Sequence, residues 1–160
     1  MFGMTDLTKQ TLNCMPWPEQ VSLPAGRTTP LGRHGSATVI QVAGDPARRL
    51  MPYAQQVLGS FALGTLDITV AGQVLEPTPF LQMDESYSLQ VTAKGVELSS
   101  PAYWGALRGI ATLSQLALHN QLHPDLLIQD KPRFAWRGLL LDVARHFFPV
   151  AVLKSVIDGL

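Results

Sequence analysis

The sequence predicts an α+β fold: a small sheet with two helices on one face, followed by the start of a (β/α)8 barrel. Three observations carry this reading. Leu66–Val70, Tyr87–Thr92 and Val96–Leu98 alternate apolar and polar residues, as half-buried strands do, and a short hairpin loop joins the last two. Helical spacing of apolar residues runs through Leu50–Phe61 and again through Ala102–His119. Gly138–Val143 is apolar on both faces, which suits the inner parallel strands of a barrel better than a sheet edge.

The elements follow in order. Residues up to about Gly35 hold Pro16, Pro18, Pro24 and Pro30 and read as irregular extended backbone. Ser36–Val42 is β-branched and reads as a strand. Asp45-Pro46 reads as an N-cap with a first-turn proline, opening a helix that Pro52 either kinks or delays. Gly72–Glu85 is a loop, and Gly95 offers a positive φ to the hairpin. Ser100-Pro101 reads as a second N-cap. In the helix that follows, Gly105 and Gly109 share a face, which predicts close approach to the sheet. His123-Pro124 ends that unit, Asp125–Lys131 reads as a linker, and the helix from Pro149 carries Val152, Leu153, Val156 and Ile157 on one side. The expected division is a small α+β domain over 1–127, with its core at about 36–123, then a linker and the first β/α unit of a barrel over 128–160.

Bulk properties exclude several classes. A chain of 160 residues with 46% hydrophobic composition fits one globular domain. Twelve basic and 12 acidic residues give zero net charge, which argues against nucleic acid or an anionic membrane as partner. No apolar run approaches the roughly 18 residues of a membrane span. A single cysteine, Cys14, leaves no internal disulfide framework and no zinc ribbon. Met1–Gln20 has no cationic start followed by an apolar core, so no secretory signal is visible. The chain reads as cytoplasmic as written, and as periplasmic or secreted if a signal has been removed.

Asp142, Arg145 and His146 surround the C-terminal end of Gly138–Val143, where barrel enzymes build their active sites. The planar fork of Arg145 suits vicinal hydroxyls or a carboxylate; a structural pairing with Asp142 or a later barrel residue is the alternative. His146 could serve as an acid or base, or support a neighbour by hydrogen bonding. Arg137 lies at the opposite, stability end of the same stretch. His119 and His123 have i, i+4 spacing, but no acidic residue stands between them as in His-Glu-x-x-His, so they read as a solvated helix end and not a metal site. Asp84-Glu85 reads as turn and capping chemistry, and Trp17, Trp104 and Trp136 as core.

Five segments together resemble one family. They are Met15-Pro-Trp-Pro18, Asp84-Glu-Ser-Tyr-Ser-Leu89, Gly105-Ala-Leu-Arg-Gly109 with Thr112-Leu-Ser-Gln-Leu116, Asp130-Lys-Pro-Arg-Phe134, and Trp136 through Phe148. From about Met15 to Leu160 the chain resembles the N-terminal part of a β-N-acetylhexosaminidase of glycoside hydrolase family 20. The resemblance implies an accessory domain similar in shape to zincin metalloproteases but without metal ligands, followed by a catalytic barrel. It implies that Arg145 matches the arginine that holds the hydroxyls of a terminal N-acetylhexosamine, with Asp142 and His146 beside it. No cofactor and no metal are implied. The partner would be an oligosaccharide ending in β-linked GlcNAc or GalNAc, whose own acetamido oxygen attacks the anomeric carbon, unlike the usual two-carboxylate scheme.

The family's catalytic Asp-Glu pair follows a later barrel strand, so no catalytic residue is expected within these residues, and they are expected to be inactive alone. Asp84-Glu85 lies before the barrel and is not that pair. A non-catalytic carbohydrate-binding or protein-interaction module is the alternative. The apolar stretch Gly138–Val143 would then need other cover, such as a second copy in a homodimer.

Overall fold

The computed structural model describes residues 12, 14–23, 38–43, 47–72 and 78–158. Among these, the chain forms a six-stranded mixed sheet and three helices. The strands are β1 (Gln20–Ser22), β2 (Val39–Ala43), β3 (Thr65–Val70), β4 (Tyr87–Thr92), β5 (Gly95–Ser100) and β6 (Leu127–Asp130). The helices are α1 (Ala47–Leu58), α2 (Tyr103–Leu118) and α3 (Val150–Asp158). The sheet order is β1-β6-β4-β5-β3-β2. β2 runs parallel to β3 and β3 to β5; β4 is antiparallel to β5 and β6, and β1 is antiparallel to β6.

This topology places both helices. The connections β2–α1–β3 and β5–α2–β6 join strands of the same sense and step the same way across the sheet. Crossovers of one hand then deliver both helices to one face. α1 packs on β2 and α2, and α2 packs on β3, β4 and β5. Alternation sets the faces. Leu66, Ile68, Leu89, Val91, Val96, Leu98 and Ile128 point inward and meet Leu50, Ile110 and Leu113 from the helices. Asp67, Thr69, Ser88, Gln90, Glu97 and Ser99 occupy the opposite face.

The glycine expectations hold. Gly95 has φ +155, and a Cβ there would collide with the Thr65 carbonyl across the parallel pair. A Cβ at Gly105 would strike the Ser86 carbonyl, and one at Gly109 the Leu98 side chain, so these two positions set the depth of α2 on the sheet.

Several sequence expectations need correction. Asp125–Lys131 is not a linker: Leu127–Asp130 is β6, held between β4 and β1. Gln20–Ser22, within the stretch expected to be irregular, is β1. α1 runs through Pro52 and does not start after it. Ser100 is not the N-cap of α2; that position is Ala102, without a side-chain cap. The Ser100 hydroxyl instead donates to the Ser86 and Ala102 carbonyls, tying β5 to the turn before β4. The end of α2 agrees with the expected Ala102–His119: Asn120 adopts φ 56, and Gln121 and Asn120 return hydrogen bonds to Leu116 and Ala117. Asp45-Pro46 and Ser36-Ala37 lie outside the described residues.

Gly138–Val143 is the largest difference. It forms no strand, and Leu139, Leu140, Leu141 and Val143 are exposed, Leu140 at 86%. A strand exists only through a neighbour's backbone groups, and among the described residues no strand lies beside this one. α3 follows as expected, with none of its residues buried.

Candidate functional site

Asp142 builds the turn that carries Arg145. Its Oδ1 accepts the backbone N–H groups of Ala144 and Arg145, both at 3.0 Å. Its Oδ2 lies 3.1 Å from Arg145 Nε. One carboxylate therefore fixes both the backbone and the inner edge of the guanidinium. The two terminal nitrogens of Arg145 have no partner among the described residues, and the side chain is 87% exposed. That leaves a planar pair of donors facing outward, the geometry that binds two adjacent hydroxyls. His146 is exposed beside it.

A second cluster was not anticipated. Glu85, expected to cap a turn, is only 6% exposed and sits between two arginines. Arg108 Nε on α2 donates to its Oε1 at 2.8 Å. Arg137 Nη2 donates to both carboxylate oxygens at 2.6 Å, while its Nη1 donates to the Phe134 carbonyl at 2.5 Å. Burial alone would raise the Glu85 carboxyl, but the bonds and charges of Arg137 and Arg108 outweigh it and hold it below its ordinary value. A signal for this was present in the sequence. Glu85 is in period-two phase with Tyr87, Leu89 and Val91, which all point inward. Asp84 does perform the expected turn chemistry, accepting the Ser86 N–H at 2.8 Å.

The other segments converge on the same end of the sheet. The Gln115 amide clasps the Met15 backbone, accepting its N–H at 2.6 Å and donating to its carbonyl at 3.0 Å. The Tyr87 hydroxyl pairs with Thr112 Oγ1 at 2.7 Å and donates to Asp130 Oδ2 at 3.1 Å; Asp130 Oδ1 accepts the Glu19 N–H at 2.8 Å. Burial pushes the Tyr87 phenol well up, with the nearby Asp130 charge adding to it.

Two clefts flank the Glu85 cluster. One of about 700 Å³ is lined by Trp17, Lys131 and Phe134, the other of about 670 Å³ by Phe80, Trp104 and Trp136; Arg108 and Arg137 border both. Trp17 is 45% and Trp136 is 80% exposed, so these two are not core residues. Trp136 stands on the segment that lacks a covering layer. Trp104 is half-buried, with its ring nitrogen unpaired among the described residues. Past the end of α2, His119 and His123 do not share a helical face. Among the described residues, no three His, Cys, Asp or Glu side chains cluster as metal ligands, and no helix is long and apolar enough to cross a membrane.

A family model described as beta-acetyl hexosaminidase like matches residues 59–116, and the model of the glycosyl hydrolase family 20 catalytic domain matches residues 134–160. Beta-hexosaminidase subunit A1 of Dictyostelium discoideum is 30% identical over 165 residues, covering 95% of this chain and 31% of the relative. The chain belongs to glycoside hydrolase family 20. Two solved structures are similar in three dimensions. Flavobacterium johnsoniae chitobiase matches with a TM-score of 0.59 and 31% identity, over 96% of this chain and 26% of that one. Streptomyces plicatus N-acetyl-beta-hexosaminidase in complex with Thio-NAglucal matches with a TM-score of 0.60 and 29% identity, over 92% of this chain and 32% of that one. The chain thus spans 32% or less of each of these three proteins. Glu85 and Arg108 lie in the first matched region and Arg137 in the second, so this ion-pair cluster joins the two family 20 regions.

Proposed function

We propose that the gene product is an exo-acting β-N-acetylhexosaminidase. It removes terminal β-linked GlcNAc or GalNAc with retention, the substrate's acetamido oxygen serving as nucleophile. The observation that carries this is the free guanidinium edge of Arg145, held by Asp142 within the residues that match the family 20 catalytic domain. In this reading Arg145 binds the hydroxyls of the terminal sugar. Asp142 positions it, and His146 supports the same corner. The acid/base glutamate and its neighbouring aspartate follow a later barrel strand.

Residues 12–130 act as the accessory domain, zincin-like in shape, which packs on the barrel and stabilises it. The pairing of β6 with β4 supports extending this domain from the expected end at 127 to Asp130. Residues 134–160 supply the first β/α unit, in which Gly138–Val143 becomes a strand once flanked by others. The 160 residues alone are inactive.

The test is to read the coding sequence past Leu160 and assay the intact product on an aryl N-acetyl-β-glucosaminide and its galactosaminide counterpart. Hydrolysis that is lost in Arg145→Ala supports the reading. A stop codon after Leu160, or no hydrolysis, sinks it. The exposure of Trp136 and Leu140 favours one second reading, a non-catalytic module that binds sugar or pairs with another copy. Sedimentation as a dimer together with saturable chito-oligosaccharide binding would support that instead.

A further inference from the structure

We propose that Glu85 is a positioning residue for Arg145, acting through Arg137. The inference rests on the hexosaminidase reading above. Among the described residues, the Arg137–Glu85 pair is the hydrogen-bonded link between residues 132–158 and the sheet domain. Other hydrogen bonds of that segment stay within it: Arg137 to Phe134, Asp142 to Ala144 and Arg145, and the first turn of α3.

The link is built to locate as well as to attach. Glu85 sits 6% exposed beside α2, where Arg108 holds its Oε1 from one side. Its position is therefore set by the core. Arg137 takes both oxygens with one nitrogen, and its other nitrogen locks the Phe134 turn. A buried carboxylate is costly to leave unpaired, so it selects one place for its cation. Arg137 starts the stretch whose far end carries Asp142 and Arg145. Once Gly138–Val143 is a barrel strand, a pivot error at Arg137 is passed along it to the guanidinium that meets the sugar, and donors out of line with the hydroxyls lose binding in ground and transition state alike, which raises KM.

The intact gene product is assayed with an aryl N-acetyl-β-glucosaminide at a temperature far below every variant's melting point. Glu85→Gln and Arg137→Ala raise KM by about tenfold or more, and the double variant is no worse than either alone. Arg137→Lys, with a single ammonium in place of the fork, recovers part of the loss. Arg108→Ala removes one of the bonds that hold Glu85, so it lowers the melting temperature and raises KM less than Arg137→Ala, which removes the link itself. An active wild type whose KM is unchanged in both Glu85→Gln and Arg137→Ala overturns the proposal. If Glu85→Gln does not fold, Arg137→Ala decides, because its side chain is 38% exposed. An inactive wild type refutes the hexosaminidase reading itself. Amide exchange then reads the link directly: Arg137→Ala speeds exchange over residues 138–146 but not over β4, and equal rates in both proteins overturn it.

Discussion

One nitrogen of Arg137 donates to both carboxylate oxygens of Glu85, at 2.6 Å each, across 52 residues of sequence. Arg108 reaches the same carboxylate from α2. Three pieces of chain that share no local structure are joined by one buried charge. The fold is not held together by this cluster, since the apolar layer between sheet and helices does that. Among the described residues, the cluster is the hydrogen-bonded link between residues 132–158 and the sheet domain.

Glu85→Gln should lower stability by about 1.5–3 kcal/mol at neutral pH, the usual worth of hydrogen bonds to charged groups. The arginines are 47% and 38% exposed and can return to water, which keeps the loss from being larger. The effect depends on pH. The folded carboxyl lies below its ordinary value of 4.5. Its contribution is therefore complete above the unfolded value and is lost as pH falls through the lower folded value. Urea titrations of both proteins should show the gap at pH 7 and its closure in acid. A gap that widens in acid would contradict this sign.

Gly105→Ala should destabilise by about 1–3 kcal/mol, as overpacking does, despite the roughly 1 kcal/mol that alanine gains in a helix. The obstacle at Gly105 is the Ser86 backbone carbonyl, which cannot step aside. At Gly109 the obstacle is the Leu98 side chain, which can rotate, so Gly109→Ala should cost less. Thermal melts of the two variants check the order.

Where local pattern decides structure, the sequence was informative. Alternation located β3, β4 and β5, and helical spacing located α1, α2 and α3. The two helical glycines foretold a close helix–sheet contact. β6 escaped because Leu127–Asp130 is short and takes its partners from β4 and β1, far along the chain. Gly138–Val143 has the apolar composition of a buried strand but forms none here, because strand pairing is a property of neighbours and not of the segment. Glu85 reads from sequence as turn and capping chemistry because it opens a strand after a loop, yet its period-two phase with Tyr87 and Leu89 turns it inward. Arg145 was legible as a candidate; its hold by Asp142 on backbone and side chain together was not.

Leu89→Ala and Leu140→Ala should separate sharply in this chain. Leu89 is fully buried between β5 and β6, so truncation should cost about 2–5 kcal/mol. Leu140 is 86% exposed, and its truncation should stay within about 0.5 kcal/mol. Chemical denaturation measures both. A comparable loss at Leu140 would mean that the stretch 138–143 is covered.

Cys14 should resist thiol reagents in the folded chain. It is 2% exposed, and burial, then the Asp130 charge, push its thiol upward. Little thiolate forms at pH 8, and what forms is shielded. A disulfide reagent should therefore label Cys14 slowly in buffer and rapidly in urea. Rapid native labelling would show that Met15-Pro-Trp-Pro18 lifts away from Gln115.

Arg145→Ala should separate stability from activity. Its Asp142 pair is an exposed one, worth about 0–1 kcal/mol, so the variant should melt close to the parent. Two charge-assisted bonds to a sugar are worth far more, and kcat/KM of the intact gene product should fall on the order of 10²- to 10³-fold. Arg145→Lys should recover little, because a single ammonium cannot present two coplanar donors. Asp142→Asn keeps an oxygen for the Ala144 and Arg145 amides but removes the charge beside Nε. It should therefore cost less than Arg145→Ala while shifting in the same direction. Kinetics that leave Arg145→Ala unimpaired would remove Arg145 from the sugar site, whatever the melting curves show.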